Sequence, residues 1–392
     1  MDRRTFLLGT GTLALSQVLA GCSGQDQASL RVQLLKGSIP AQLVNQFRST
    51  LEQGAQVKLE PVEQLKDLFT QLQSWSKQPP AQADDWRSQL PIPLIKSNPT
   101  APTDLVTLGD YWLTLAIEQG LIQPLDPAKL QNWPTLPSRW QELVTRNDSG
   151  RLDAQGKVWA APYRWGSTII AYNRDFFKSL GWTPSDWSDL WREELRDRIS
   201  LLNQPREVIG LVLKKLGQSY NTENLNQVPN LEKQLQALHQ QVKFYSSDTY
   251  LQPLILGDTW LAVGWSTDVL PVMQRYRQIA AVVPKSGTAL WADLWVRPTG
   301  GDSSKSVGSK WIDFCWQPQI AQQIAILSKG SSPIPVQLKP GNIQERLRSV
   351  LLHDPQIFDR SEFLLPLPKE AMQQYQSLWQ SMQGLGASAF GA

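Results

Sequence analysis

Histidine and cysteine are nearly missing from this chain, and with them goes the usual material of a metal centre. Its 392 residues hold two of each. Neither His239 nor His353 has a second His or Cys at metal-ligand spacing, so no metal and no cofactor are expected. A phosphate-cradling G-x-x-x-x-G-K-[ST] loop is absent, and Gly264-Trp265-Ser266-Thr267-Asp268 fails the G-x-S-x-G nucleophile elbow at its last glycine. No catalytic residue is assigned on these grounds. A glycosidase needs only two carboxylates a few ångströms apart, so an exported carboxylate-pair hydrolase stays open as a rival. A strong charge of one sign is lacking too: 38 basic and 35 acidic residues mix along the chain to a net charge of +3. Without a basic block to follow a phosphate backbone, nucleic acid is not expected as a partner.

The chain also lacks an apolar run long enough to span a membrane at its N-terminus. Arg3-Arg4 precedes Phe6-Leu7-Leu8, the apolar residues continue to Ala20, and Leu19-Ala20-Gly21-Cys22 closes the run, which is shorter than the roughly 20 residues a helical span needs. The pattern reads as a twin-arginine-like lipoprotein signal peptide over residues 1–21, with small residues before Cys22 that allow cleavage there and lipidation of its thiol. Residues 22–29 read as a polar tether holding a folded domain off the extracytoplasmic, or periplasmic, face of a membrane. With Cys22 carrying lipid, only Cys315 remains, and one thiol forms no internal disulfide. Its setting in Trp311-Ile312-Asp313-Phe314-Cys315-Trp316 is that of a buried structural cysteine.

The mature chain of about 370 residues exceeds the roughly 250–300 at which one core splits in two, so two lobes are expected. Leu30 to Leu35 reads as a strand, and Ile39 to Leu51 has helical spacing through Leu43, Phe47 and Leu51. Gln71 to Thr103, rich in Pro, Gln and Ser, reads as irregular surface. Asp104 to Leu108 returns to strand character, and Tyr111 to Gly120 reads as a helix ended by its glycine. Val158 to Asn173 alternates short apolar runs with Pro162 and Gly166, as strand segments crossing between lobes would. Helical stripes follow at Leu231, Leu235, Leu238 and Val242, and at Ile320, Ile324 and Leu327.

Seventeen tryptophans stand out. In Thr288 to Val296 the period of two puts Trp291, Asp293 and Trp295 on one face of a strand. An aromatic ring beside a carboxylate suits an ammonium group, through charge, acceptor oxygens and cation–π attraction. Equally, these tryptophans can be core and Asp293 the partner of an arginine. Pro205-Arg206-Glu207-Val208-Ile209 reads as a helix start, where Glu207 can simply complement the helix N-terminus. Trp265 emerges at the end of the run Leu261-Ala262-Val263-Gly264, and Tyr111 sits beside Asp110 at another strand-to-helix junction, positions where open α/β sheets bind ligands.

At these residues the chain resembles the spermidine/putrescine-binding proteins of bacterial ABC importers, within the extracellular solute-binding family. Ala161-Pro162-Tyr163-Arg164-Trp165-Gly166-Ser167-Thr168 with Tyr172-Asn173 is similar to the family's VPY-x-WG-[ST]-T…N crossover. Trp187 to Trp191, Arg206-Glu207-Val208, Leu213-Lys215-Leu216-Gly217 and Asn221-Thr222 are similar to its SWADLW…REV…LRKLG…NT run. Pro284-Lys285-Ser286-Gly287 leading into Leu290-Trp291-Ala292-Asp293 is similar to its PKEG…W-x-D segment. The matches cover most of Asp104 to Val296 and fade after about Gly330.

The resemblance implies a non-catalytic binder with an α/β, two-lobed periplasmic-binding-protein fold and a hinged interlobe cleft that closes on a linear polyamine. It implies Glu207 and Asp293 as carboxylates for ammonium groups and Trp265, Trp291 and Tyr111 as aromatic walls, with Asp110, Trp165 and Gln204 as further candidates. Gln204 stands where the family has an acidic residue, Leu35 and Ser38 where it has aromatics, and Gly109 where it has a serine, while Asp110 offers a replacement charge. Lobe one is expected near 30–164 plus 292–350, lobe two near 165–291, and helices of 351–392 packing across both. The partners implied are a polyamine ligand, ABC permease subunits and, through the lipid, a membrane, with the protein itself monomeric. A neutral sugar or a small zwitterion is the rival ligand within the binding class.

Overall fold

The computed structural model describes residues 30–51, 55–76, 102–301, 306–352 and 354–384. Residues 1–29, on which the expected leader, Cys22 and tether fall, most of the proline-rich stretch, and His353 lie outside the described residues.

Lobe one opens with β1 (Leu30–Leu35), whose Leu30, Val32 and Leu34 point into a core also reached by Leu43, Val44 and Phe47 of α1 (Ala41–Arg48). After β2 (Val57–Val62) and α2 (Leu65–Ser76) comes β3 (Leu105–Gly109), and the three strands pair in parallel in the order β2-β1-β3. The helix expected over Tyr111 to Gly120 is a 3-10 turn, Asp110–Trp112, followed by α3 (Leu113–Glu118), with Gly120 at a φ of +63° that favours glycine. Short β4 (Ile122–Gln123), α4 (Ser138–Val144) and the antiparallel pair β5 (Thr145–Arg146) and β6 (Lys157–Val158) lead to β7 (Ala161–Asn173).

β7 explains why that stretch of sequence lacks alternation. Both its faces are covered and nearly all of its 13 residues are buried, the condition under which a strand reads as a continuous apolar run. Ala161 to Ser167 pairs antiparallel with β12 (Ala289–Pro298), which pairs in turn with β3. From Thr168 onward the same strand pairs with β10 (Leu261–Trp265) and then also β11 (Ile279–Val282). The crossing therefore falls between Ser167 and Thr168, three residues later than the boundary expected at 164/165, and β12 joins lobe one from Leu290.

Lobe two adds β8 (Ile199–Leu201) and β9 (Val242–Tyr245) in parallel beyond β10. Its helices are α5 (Arg174–Leu180), α6 (Pro205–Lys215), α7 (Leu231–His239), α8 (Gln252–Leu256) and α9 (Ser266–Arg275). α6 starts at Pro205, as expected, because the first turn needs no N–H from that residue. The chain returns to lobe one through β12, α10 (Val307–Trp316) and α11 (Pro318–Ser328). Cys315 of α10 is buried, and burial pushes its thiol up.

Residues 343–350 do not stay with lobe one as expected. Ile343, Leu347, Val350 and Leu351 bury against Val269, Leu270 and Met273 of α9, and Arg346 donates to the carbonyls of Tyr276, Arg277 and Ile279. The chain after α12 (Arg348–Leu351) and α13 (Pro355–Arg360) straddles the lobes only briefly. There β13 (Glu362–Phe363) pairs with β12, Arg139 of lobe one donates to the carbonyls of Phe358 and Ser361, and Lys214 of lobe two pairs with Glu362. α14 (Lys369–Met382) then buries Tyr375, Trp379 and Met382 in the core of lobe two alone.

Candidate functional site

The ends of parallel strands from both lobes converge on the two crossing strands: β1 and β3 from one side, β8 and β10 from the other. Such carboxyl ends are where open α/β sheets present ligand groups. Glu207 sits in the first turn of α6, after β8, and is only 7% exposed. Its carboxylate oxygens accept from Thr168 Oγ1 at 3.1 and 3.0 Å and from Trp265 Nε1 at 3.2 Å. Among the described residues it has no ion-pair partner. Arg206, next to it, is turned away, donating to Leu365 O and Asn221 Oδ1 with its guanidinium over the Tyr375 ring. Burial pushes the Glu207 carboxyl up, against the pull of its Thr168 and Trp265 donors and the charge of Arg206.

Trp265 ends β10, half-buried, with its N–H donating to Tyr250 Oη at 3.1 Å. Trp291 of β12 lies against Gly166, where an added Cβ would stand 2.2 Å from indole Cζ2 and 2.4 Å from Ser266 Oγ. Ser266 Oγ accepts from the Ser167 N–H at 3.2 Å. Trp291, Gly166, Ser266, Ser167, Thr168, Glu207 and Trp265 thus form one chain of contacts across the point where β7 passes between lobes. Two buried polar atoms in it, Trp291 Nε1 and Ser167 Oγ, have no hydrogen-bond partner among the described residues. Trp295 Nε1 and Trp311 Nε1 in the core of lobe one share this condition; at the crossing the two open atoms are available to a polar ligand group.

Tyr111, after β3, is 53% exposed and packs edge-on to Trp112, with the Arg206 charge of lobe two within electrostatic reach. Asp110 is buried and accepts from the Ala292 N–H at 3.0 Å. Desolvation pushes its carboxyl up to about 7, with the Ala292 N–H and Arg146 opposing and Asp293 adding to the rise. Gln204 is the half-buried N-cap residue of α6 and makes no capping bond through its side chain. Ser38, in the turn after β1, is buried and accepts from Tyr163 Oη at 3.0 Å.

Asp293 is not open to a ligand in this structure. It is 1% exposed, and its Oδ2 is gripped by Arg164 Nε at 2.7 Å and Nη2 at 2.5 Å. Of the two readings its sequence allowed, the structure has the arginine pair. Trp295 joins neither wall: it is fully buried, stacked on Tyr163 at 4.1 Å between centroids and edge-on to Trp311. Trp165, a further candidate, is a correction. Its indole is 5% exposed, packs on Trp140 and Phe358 and donates to Ser332 O at 2.8 Å, so it belongs to the core of lobe one. A β-strand's alternation places it on the face opposite Gly166, away from Trp291. Thr168, Ser266 and Arg164 were not singled out by the sequence, although Thr168 and Arg164 stand inside the crossover motif.

The model of the family described as bacterial extracellular solute-binding protein matches residues 101–348. The spermidine/putrescine-binding periplasmic protein of Salmonella typhimurium is 26% identical over 319 residues, covering 81% of this chain and 81% of its own. The putrescine-binding periplasmic protein PotF of Escherichia coli is 25% identical over 283 residues, covering 65% and 75%. Among solved structures, the spermidine/putrescine ABC transporter substrate-binding protein PotD of Streptococcus pneumoniae superposes with a TM-score of 0.72 at 20% identity, over 91% of this chain and 98% of that one.

Proposed function

This chain belongs to the bacterial extracellular solute-binding protein family, and from that premise we propose that it captures a di- or polyamine between its lobes for an ABC importer. The observation that carries the reading is Glu207. A buried carboxylate with hydrogen-bond donors but, among the described residues, no ion-pair partner is unfavourable in the empty protein and favourable once an ammonium group arrives. Trp265 and Trp291 supply aromatic faces beside it, and the orphaned Trp291 Nε1 and Ser167 Oγ give the occupant polar contacts. Tyr111, exposed on the opposite lobe, closes the far wall when the lobes approach. The names of the Salmonella and Escherichia relatives point the same way. The protein is a carrier in this reading and performs no reaction on its ligand.

A neutral sugar would use the tryptophans but would leave the Glu207 charge unmatched. A thermal-shift screen of putrescine, spermidine, amino acids and sugars tests the reading, because a ligand of the folded state alone raises stability by RT ln(1 + [L]/Kd). Stabilisation by amines supports it, and stabilisation by sugars alone sinks it. The pattern of residues 1–22 supports work outside the cytoplasm, with lipid on Cys22 as the proposed anchor. Cys22→Ser should release the protein from the membrane fraction and leave amine binding intact, whereas retention of a processed variant counts against the anchor.

A further inference from the structure

We infer that Arg164 is a specificity-determining residue of this cleft: it fills the cation position in front of Asp293, so a ligand is charge-paired at one end only, by Glu207. The inference rests on the amine reading above and adds to it how many ammonium groups the cleft matches with a carboxylate. Asp293 and Arg164 face each other in register on β12 and β7, beside an irregularity at which the partner of the next residue, Leu294, is Pro162 rather than Tyr163. Tyr163 is thereby the extra residue of β7.

The seat of Arg164 is built. Two of its nitrogens reach one oxygen of Asp293, Nη1 lies 3.5 Å from Ser328 O, and the guanidinium stands 5.8 Å from the Trp291 ring centroid. Gly330 makes room for the stem, since a Cβ there would lie 2.6 Å from Arg164 Cγ. A carboxylate on one side and an indole on the other are what a bound ammonium would meet. Here the protein's own guanidinium meets them. The pair is neutral as a unit, and a second ligand ammonium arriving there would find its carboxylate already occupied. Of the other nearby carboxylates, Asp110 faces Asp293 and the charge of Arg146 and is held by the Ala292 N–H, while Asp268 accepts from Tyr250 Oη at 2.9 Å and lies in the field of Arg164 itself. Among the described residues, Glu207 is the buried carboxylate of the cleft left without a cation.

Calorimetric titration with butylamine and putrescine, equal in chain length and different by one ammonium, tests this. The wild type should bind the two within about tenfold of each other. Arg164→Met frees Asp293 and should raise putrescine affinity by at least about tenfold, with butylamine changed by less than about threefold. Because Arg164→Met leaves a buried carboxylate unpaired and can fail to fold, Arg164→Met/Asp293→Asn provides a neutral replacement, which should keep the wild-type ratio. A wild-type preference for putrescine above about a hundredfold that this double variant abolishes would overturn the inference while leaving the amine reading standing. Binding of neither amine by the wild type would overturn the amine reading itself, and this inference with it.

Discussion

Trp291 rests on Gly166 so closely that the smallest side chain does not fit between them: a Cβ on Gly166 would come within 2.2 Å of the indole. Gly166 is therefore part of the aromatic wall, although it offers no side chain. Gly166→Ala must push the indole or Ser266, whose Oγ would lie 2.4 Å away. Overpacking of this kind costs about 1–3 kcal/mol. The variant should melt several degrees lower and lose putrescine affinity, measured by scanning calorimetry and titration. Unchanged melting and unchanged affinity together would show that Trp291 does not sit where the structure has it.

Glu207→Gln separates ligand binding from stability. Loss of the carboxylate leaves a bound ammonium poorly paired, which costs about 2–5 kcal/mol, or roughly thirtyfold to several thousandfold in affinity. The ligand-free protein should not suffer, because the substitution removes a buried charge that has no ion-pair partner among the described residues. Its carboxyl is pushed up on folding, so the native state holds that proton more tightly than the unfolded chain does. Stability from this group is present at low pH and falls as pH rises through the raised value. At pH 8 the variant should be at least as stable as the wild type in urea, and a variant markedly less stable there would mean that Glu207 is structural.

Much of this architecture is legible locally. β1 and the apolar face of α1 follow from their periodicities, and α6 begins at Pro205 because proline suits a first turn. Local patterns fail where partners are distant. Arg164 and Asp293 are separated by 129 residues, and nothing in either neighbourhood says which arginine meets which carboxylate. The period of two put Trp291 and Trp295 on one face of β12, but β12 crosses from the cleft into the core of lobe one. Trp295 therefore stacks on Tyr163 while Trp291 stays half-buried. Trp165 misled for the converse reason: an aromatic in a cleft motif on a strand covered on both faces has equal claim to core and site, and Ser332, Trp140 and Phe358 settle it as core.

Asp110 gives a pH-dependent readout. Burial pushes its carboxyl up to about 7 from an ordinary value of 3.8. Between those values the native state retains a proton that the unfolded chain has released, so stability falls as pH rises, by up to about 1.4 kcal/mol per pH unit. Asp110→Asn fixes the neutral form and keeps an oxygen for the Ala292 N–H. The stability difference between variant and wild type should therefore grow in the variant's favour from pH 4 to 7 and level off above. Parallel urea midpoints across that range would contradict it.

Trp265 has two separable roles at the Glu207 pole, a ring face and a donor. Its Nε1 donates to Glu207 Oε1 at 3.2 Å, while its backbone N–H is held independently by Tyr250 Oη at 3.1 Å. Trp265→Phe keeps a ring and the backbone anchor but removes the donor. A hydrogen bond to a charged group contributes about 1.5–3 kcal/mol, yet part of this is regained when the freed Glu207 oxygen turns to the ligand ammonium. Putrescine affinity should therefore fall by less than about tenfold in Trp265→Phe, and by more in Trp265→Ala, where the wall is lost as well. The coupling is read from a double-mutant cycle. If the indole N–H acts by orienting the carboxylate, Trp265→Phe should have little further effect once Glu207 is Gln, because no charge is left to orient. Additive losses in Trp265→Phe/Glu207→Gln would instead assign Trp265 a contact with the ligand that does not pass through Glu207.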